Sequence, residues 1–135
     1  MLMNFREPKD TEKVKWTIHA KEKMKFYVLS ETRLKRVLRS PDRIEEGIAP
    51  RTIAAMQRSG SSKKPSEIWL MYQRKAKSAK LKTQNQREKR NLLNEILEKK
   101  EKIVIISAWR YPGISPKGRP PIPEDIIKEL QDLII

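Results

Sequence analysis

The sequence predicts an α+β fold: a small antiparallel sheet, two N-terminal helices packed on one face of it, a basic helical insertion in a hairpin and a C-terminal amphipathic helix. Two short helical patterns come first in the chain, and segments with the alternating or β-branched composition of strands follow them. The 135 residues suit one domain, and 37% hydrophobic against 36% charged residues predicts a modest core.

The two N-terminal helices have readable boundaries. Residues 14–18 alternate apolar and polar side chains, which predicts a half-buried strand, and residues 19–27 then follow as a short helix. Ser30 is a favourable N-cap for a second helix over residues 31–39. Pro41 ends that helix, because the residue before a proline is pushed out of the helical region.

Four strand candidates follow the helices. Residues 43–48 and 52–58 have short or moderate strand patterns, whereas residues 67–74 and 103–111 are rich in aromatic and branched side chains. The last of these segments is apolar on both faces near its middle, which predicts an internal strand.

Antiparallel pairing of the two strongest strands would separate the candidate residues into two groups. Tyr72–Arg74 would lie beside Ile103–Ile105, and Arg110–Tyr111 would lie near Glu67 at the other end. Glu67 is then either a solvated residue at the end of a strand or a general base opposite Arg110. The pairing does not decide which end holds a site.

A basic segment interrupts this predicted hairpin. Residues 74–102 contain eleven Lys and Arg against four Glu, a net +7 that is half of the chain's +14. Residues 86–100 have the apolar spacing of a helix. We therefore expect residues 75–101 to be a basic helical insertion.

The C-terminal part is predicted to be a linker followed by a helix. Residues 112–123 hold five prolines and two glycines, which predicts an extended linker. Residues 124–135 form an amphipathic helix that either packs on the domain or docks on another subunit or an inhibitor. The predicted organisation is a flexible N-terminus at 1–12, a domain at 13–111, this linker and this helix. The apolar stripe of the helix comprises Ile126, Ile127, Leu130, Leu133 and Ile134.

The charge and the cysteine count restrict the class of partner. The 31 Lys and Arg against 17 Asp and Glu favour nucleic acid, with RNA foremost; an anionic partner protein is the alternative, and a membrane surface fits least. The chain has no cysteine, no long apolar run and no secretory leader pattern, so we expect a cytoplasmic protein. One histidine without cysteine does not supply a zinc site, and no cofactor is expected.

Metal-independent cleavage of RNA needs proton transfer and positive charge at the phosphate. His19 suits proton transfer, although a histidine at the start of a helix also serves as a structural hydrogen-bonding group. Arg110 suits phosphate and Tyr111 suits a splayed base; the alternative is an ordinary strand end. The residues predicted to contact nucleic acid are Arg33, Arg36, Arg39, Tyr72, Arg74, Lys80, Lys82, Arg87 and Arg90.

Three segments resemble the BrnT-type toxins and their uncharacterised relatives. They are His19-Ala-Lys-Glu-Lys-Met, the second helix from Leu29-Ser30-Glu31 to Val37-Leu38-Arg39-Ser40-Pro41, and the strand Ile103-Val104-Ile105-Ile106-Ser107-Ala108-Trp109-Arg110-Tyr111. The resemblance implies a RelE-like fold and a metal-independent endoribonuclease of a toxin–antitoxin pair. By position, it implies that His19, Lys21 and Arg110 are the functional residues. The basic insertion and the proline-rich tail depart from the compact pattern of that group.

Three functional hypotheses follow. The first is a small RNA-acting protein of the endoribonuclease toxin type, in which His19 moves protons, Lys21 and Arg110 bind phosphate and Tyr111 positions a base. The second is a non-catalytic nucleic-acid-binding module that uses the basic residues 74–102. The third is an interaction protein that docks an acidic partner, such as an antitoxin.

Overall fold

The fold is described by a computed structural model that covers residues 5–75, 87 and 102–134, with side-chain packing described up to Leu130. Its elements in chain order are β1 (Val14–Trp16), α1 (Ile18–Tyr27), α2 (Glu31–Arg39), β2 (Arg43–Glu46), β3 (Thr52–Gly60), β4 (Pro65–Lys75), β5 (Lys102–Pro112) and α3 (Glu124–Ile134). The predicted α+β class is confirmed.

The five strands form one sheet in the order β1-β5-β4-β3-β2, so β5 is an internal strand as predicted. All neighbouring pairs are antiparallel except β1 and β5, which are parallel. The hairpin register is close to the expected one, because Tyr72 pairs with Ile105 and Arg74 with Ile103. At the other end Glu67 lies opposite Tyr111, one residue from the expected Arg110.

Thr17 joins α1 to the sheet and explains why β1 is shorter than predicted. Its hydroxyl accepts from the Ala20 N–H, which caps the helix, and lies 3.0 and 3.1 Å from the Ile105 and Ile106 carbonyl oxygens. Because the cap falls at residue 17, Ile18 belongs to α1 and not to the strand. The start of α1 is therefore fixed to the middle of β5.

A β-bulge in β5 decides which of its side chains face each helix. Met71 pairs with Ser107 and Tyr72 with Ile105, which leaves Ile106 without a partner. Ile105 and Ala108 consequently pack in the core under α1 and α2, while Ile106 and Trp109 pack under α3. Ser107, two residues before Trp109 on the strand, falls on the α3 side.

The sheet has a helical layer on each face. Ala20 and Met24 of α1 and Leu34 and Val37 of α2 are buried on one face, which confirms the packing predicted for these helices. On the other face α3 buries Ile126 and Leu130 against a core that includes Trp69 and Trp109. The two indole rings are stacked with centroids 6.0 Å apart. The C-terminal helix thus packs on its own domain; its predicted stripe residues Leu133 and Ile134 lie outside the described side chains.

Residues 113–123 contain neither helix nor strand, and Ser115 anchors them to the sheet. The Ser115 hydroxyl donates to Glu67 Oε1 at 2.5 Å, and the backbone N–H of Ser115 donates to Glu67 Oε2 at 3.2 Å. Trp69 Nε1 also donates to Glu67, whose residue is only 1% exposed. Both expectations for Glu67 were wrong. The carboxylate is not solvated, because residues 113–123 cover it, and it is not opposite Arg110, because the strand register pairs Glu67 with Tyr111.

Arg43 of β2 completes this anchor. Its guanidinium donates to the carbonyl oxygens of Ser115 and Pro116 at 3.1 and 2.9 Å, and it lies 3.7 Å from Glu67 Oε2. It also pairs with Glu45 at 3.0 Å. The donors of Arg43 are satisfied at this place, so the anchor holds the proline-rich segment against the sheet.

Candidate nucleic-acid interface

Three arginines from two distant parts of the chain converge at one end of the sheet. Arg33 and Arg36 lie three residues apart on α2 and therefore share a helix face, and Arg110 lies near the end of β5. Burial lowers the pKa of Arg33, and the neighbouring charges of Arg36 and Arg110 lower it further, while Asp42 opposes them. We call Arg33, Arg36 and Arg110 the arginine cluster.

Gln57 of β3 ties the arginine cluster to the sheet. Gln57 pairs with Ile68, and Ile68 pairs with Arg110, so these residues form one row across three strands. The Gln57 amide accepts from Arg33 Nη1 and donates to the Arg36 carbonyl oxygen at 3.2 Å and the Ser40 carbonyl oxygen at 2.8 Å. A single polar side chain thus orients Arg33 and holds the end of α2 against the sheet.

Arg110 also borders an open groove of about 890 Å³. Tyr111, Tyr27 and Arg119 line the same groove, together with Glu46 and several prolines. Tyr111 and Arg110 are partly exposed, and Arg119 is exposed. The groove therefore offers aromatic rings beside two guanidinium groups, which are the side chains that RNA-binding proteins use for bases and phosphates.

His19 lies in a different place, between α1 and α3. Its Nε2 is 3.1 Å from the Ser107 hydroxyl, and its Nδ1 contacts Glu129. Burial lowers the pKa of His19; Glu129 opposes this shift and Lys23 adds to it. The structure therefore places His19 beside Ser107, whereas Arg110 lies beside α2.

Lys23, one turn after His19 on α1, contacts the same helix. Its ammonium lies 2.5 Å from Asp125 and 3.3 Å from Glu129. Burial opposes the charge of Lys23, but the two carboxylates raise its pKa. Burial likewise favours the neutral form of Asp125, yet Lys23 holds the pKa of this carboxyl below its usual value. We call His19, Lys23, Ser107, Asp125 and Glu129 the α1–α3 cluster.

The structure does not bring the four predicted catalytic residues into one site. Arg110 and Tyr111 line the groove, and His19 belongs to the α1–α3 cluster. Lys21 is partly exposed on α1, outside both the groove lining and the α1–α3 cluster. A single centre made of His19, Lys21, Arg110 and Tyr111 is therefore not what the fold assembles.

The remaining candidates occupy varied positions. Tyr72 is 3% exposed in the core under α1 and α2, so its ring is not open to a base. Arg74 and Arg39 are exposed, and the Arg74 guanidinium lies 5.9 Å from the Tyr72 ring centroid. Arg87 is exposed and helical. Lys80, Lys82 and Arg90 lie outside the described residues, as does most of the predicted basic insertion.

Sequence patterns did not identify Lys23, Ser107, Asp125 and Glu129. The spacing of four residues between His19 and Lys23, and between Asp125 and Glu129, predicts that each pair shares a helix face. Lys23 and Asp125 are 102 residues apart, and no local pattern shows that those two faces meet.

Within the described residues, no helix is both long and apolar enough to cross a membrane. In the same part of the chain, no group of three or more His, Cys, Asp or Glu could hold a metal ion.

No family model, curated protein or solved structure matches the chain. The similarity of its motifs to BrnT-type toxins therefore stays a prediction.

Proposed function

We propose that this protein binds RNA through the arginine cluster and the adjoining groove. The convergence of Arg33, Arg36 and Arg110 carries the proposal, because within the part of the chain that the structure describes Asp42 is the one carboxylate that opposes the Arg33 charge. Three guanidinium groups on one surface repel one another and attract anions, and phosphate is an anion that their forked donors fit.

The groove beside the cluster favours single-stranded RNA over duplex. Tyr111 and Tyr27 offer rings for stacking, and stacking requires bases that are not held in a helix. The guanidinium of Arg110 borders both the groove and the cluster, so a strand could place a base on Tyr111 and its phosphates along α2. The cytoplasm, where RNA is abundant and a fold needs no disulfide, is the compartment that we propose.

A matched pair of variants tests this proposal. The triple substitution Arg33→Gln, Arg36→Gln, Arg110→Gln removes three charges from the cluster. Lys9→Gln, Lys13→Gln, Lys15→Gln removes three charges from exposed positions near the N-terminus. We expect the cluster variant to lower RNA affinity and to reduce the slope of log K against log salt by about 2 units, since each lost phosphate contact removes about 0.7.

Fluorescence anisotropy with a single-stranded oligonucleotide, at several salt concentrations, measures both quantities. Circular dichroism checks that each variant is folded. Equal losses in the two variants would show a diffuse effect of net charge and would contradict the proposal. Retained affinity in the cluster variant would contradict it too, and binding of an acidic protein in place of RNA would support the partner-docking hypothesis.

Metal-independent cleavage of RNA is the second candidate function. It is favoured by one observation: Glu129 lies against Nδ1 of His19, the arrangement that holds an imidazole for proton transfer. We propose no second catalytic group, because Arg110 and Tyr111 lie elsewhere. Incubation of a long RNA with EDTA, beside a His19→Ala variant, tests this candidate; cleavage that persists in the variant would exclude His19.

A further inference from the structure

The α1–α3 cluster contains an ammonium group and an imidazole that the proposed RNA surface does not use. Lys23 is a buried lysine, 8% exposed, and two carboxylates of α3 contact its ammonium. His19 lies beside it on the same face of α1 and contacts one of the same carboxylates. Two donors from α1 thus point toward one small region occupied by acidic oxygens.

The acidic side chains form the outer layer of this cluster. The Asp125 and Glu129 side chains are 44% and 42% exposed, whereas those of Lys23 and His19 are 10% and 14% exposed. The carboxylates therefore separate Lys23 and His19 from the solvent. If they were absent, a solute could approach Lys23 and His19 from that side.

Ser107 contacts the buried side of the His19 imidazole. Its hydroxyl is completely buried and lies 3.1 Å from Nε2, on the side of the ring opposite Glu129. When this hydroxyl donates to Nε2, the ring proton is on Nδ1 and faces Glu129. The outward-facing groups are then an N–H donor and an ammonium, both suited to an oxyanion.

We infer that His19 and Lys23 form a phosphate-binding site, oriented by Ser107, which α3 closes with Asp125 and Glu129. The carboxylate oxygens occupy the positions of phosphate oxygens. The ligand is a phosphate group, either in the RNA backbone or free in solution. The backbone form of this inference rests on the proposed RNA-binding function, and the free-phosphate form does not.

The full-length double variant Asp125→Ala, Glu129→Ala opens this site without removing α3. Both substitutions remove the carboxylates that cover Lys23 and His19, and the Ile126 and Leu130 contacts that hold the helix remain. We expect inorganic phosphate to bind this variant about 10-fold more tightly than the wild-type protein. The reason is that the Asp125 and Glu129 carboxylates no longer compete with phosphate for Lys23 and His19. Isothermal titration calorimetry measures the affinity.

Two controls separate this site from a general gain of positive charge. Glu12→Gln, Glu124→Gln removes the same charge from exposed positions and should leave phosphate affinity unchanged. Adding Lys23→Met to the double variant should abolish the gain. No gain in the double variant, an equal gain in the charge control, or a gain that survives Lys23→Met would each overturn the inference.

Titration of a single-stranded oligonucleotide without terminal phosphates distinguishes the two sources. Tighter RNA binding by the double variant, reversed by free phosphate, assigns the site to the backbone; a phosphate gain without an RNA gain assigns it to free phosphate. The arginine-cluster variant tests RNA binding independently of either result. Should the double variant fail to fold in a urea titration, Glu129→Ala alone frees Nδ1 and gives a smaller phosphate gain, whose absence overturns the inference.

Discussion

The arginine cluster is built on α2 and the α1–α3 cluster on α1, and the two clusters differ in how far carboxylates compensate their positive charge. Arg33 and Arg36 on α2 lie beside a third arginine, and among the described residues Asp42 is the one carboxylate that opposes the Arg33 charge. Lys23 on α1 has two carboxylates within 3.3 Å. The difference indicates that charge compensation is complete where the fold buries a cation and incomplete where the surface is open to an anion.

The largest change in the free energy of unfolding is expected from α3, the helix that supplies the carboxylates of the α1–α3 cluster. Leu130 is 1% exposed against the tryptophan core. We expect Leu130→Ala to lower the free energy of unfolding by about 3 kcal/mol, from lost burial and the cavity left behind. Urea unfolding followed by tryptophan fluorescence measures it, with the half-buried Ile127→Ala as the milder control. Equal effects would show that α3 is held by something other than its buried stripe.

Removal of one cation from each cluster compares them directly. Lys23→Met should lower the free energy of unfolding by about 2 kcal/mol, less than for a fully buried pair because its carboxylate partners are partly exposed. Arg36→Met removes an exposed charge from the arginine cluster and should change stability by less than about 0.5 kcal/mol. Urea titrations at one pH give both values. A larger change in stability for Arg36→Met than for Lys23→Met would contradict the conclusion that the charge of the α1–α3 cluster is the one the fold depends on.

The joint between the two helices offers a smaller and opposite effect. Val28 follows α1 with φ of 56°, in the left-handed region, and its N–H is directed to the Lys25 and Met24 carbonyl oxygens. A β-branched residue is strained there, so Val28→Gly should raise the free energy of unfolding by about 1 kcal/mol, in spite of the greater freedom of glycine in the unfolded chain. Val28→Ala, which keeps a Cβ, should gain less in the same titration. Destabilisation by glycine would mean that the exposed valine side chain contributes packing at this joint.

Local signals predicted the elements that carry the two clusters, and they failed where distant segments meet. The bounds of α2 follow from Ser30 and Pro41 alone, because a cap and a helix stop act within one turn. The burial of Glu67 depends on Ser115, 48 residues away, and no property of its own strand distinguishes it from a solvated glutamate. The same holds for His19: its place at the start of a helix was readable, while the carboxylate that faces it was not.

The pH dependence of stability gives the smallest effect and the sharpest separation between the clusters. The folded protein holds the pKa of His19 below 6.5, so the unfolded chain binds the proton more readily. Stability is therefore complete above pH 6.5 and is lost as the pH falls toward the folded pKa. Glu22, Glu129 and Asp125 oppose this shift and Lys23 adds to it.

Three variants followed by urea unfolding between pH 7.5 and about 5.5 test this expectation, in a window set by the ordinary histidine pKa. His19→Gln should flatten the loss of stability, because it removes the titrating group. Glu129→Gln should steepen it, since the charge that raises the His19 pKa is gone. Arg33→Gln should keep the wild-type profile, because Arg33 lies beside Arg36 and Arg110 and is not part of the α1–α3 cluster. A wild-type profile in the His19→Gln variant would place the pH-sensitive group outside the α1–α3 cluster. The stability of the α1–α3 cluster would then depend on pH no more than that of the arginine cluster.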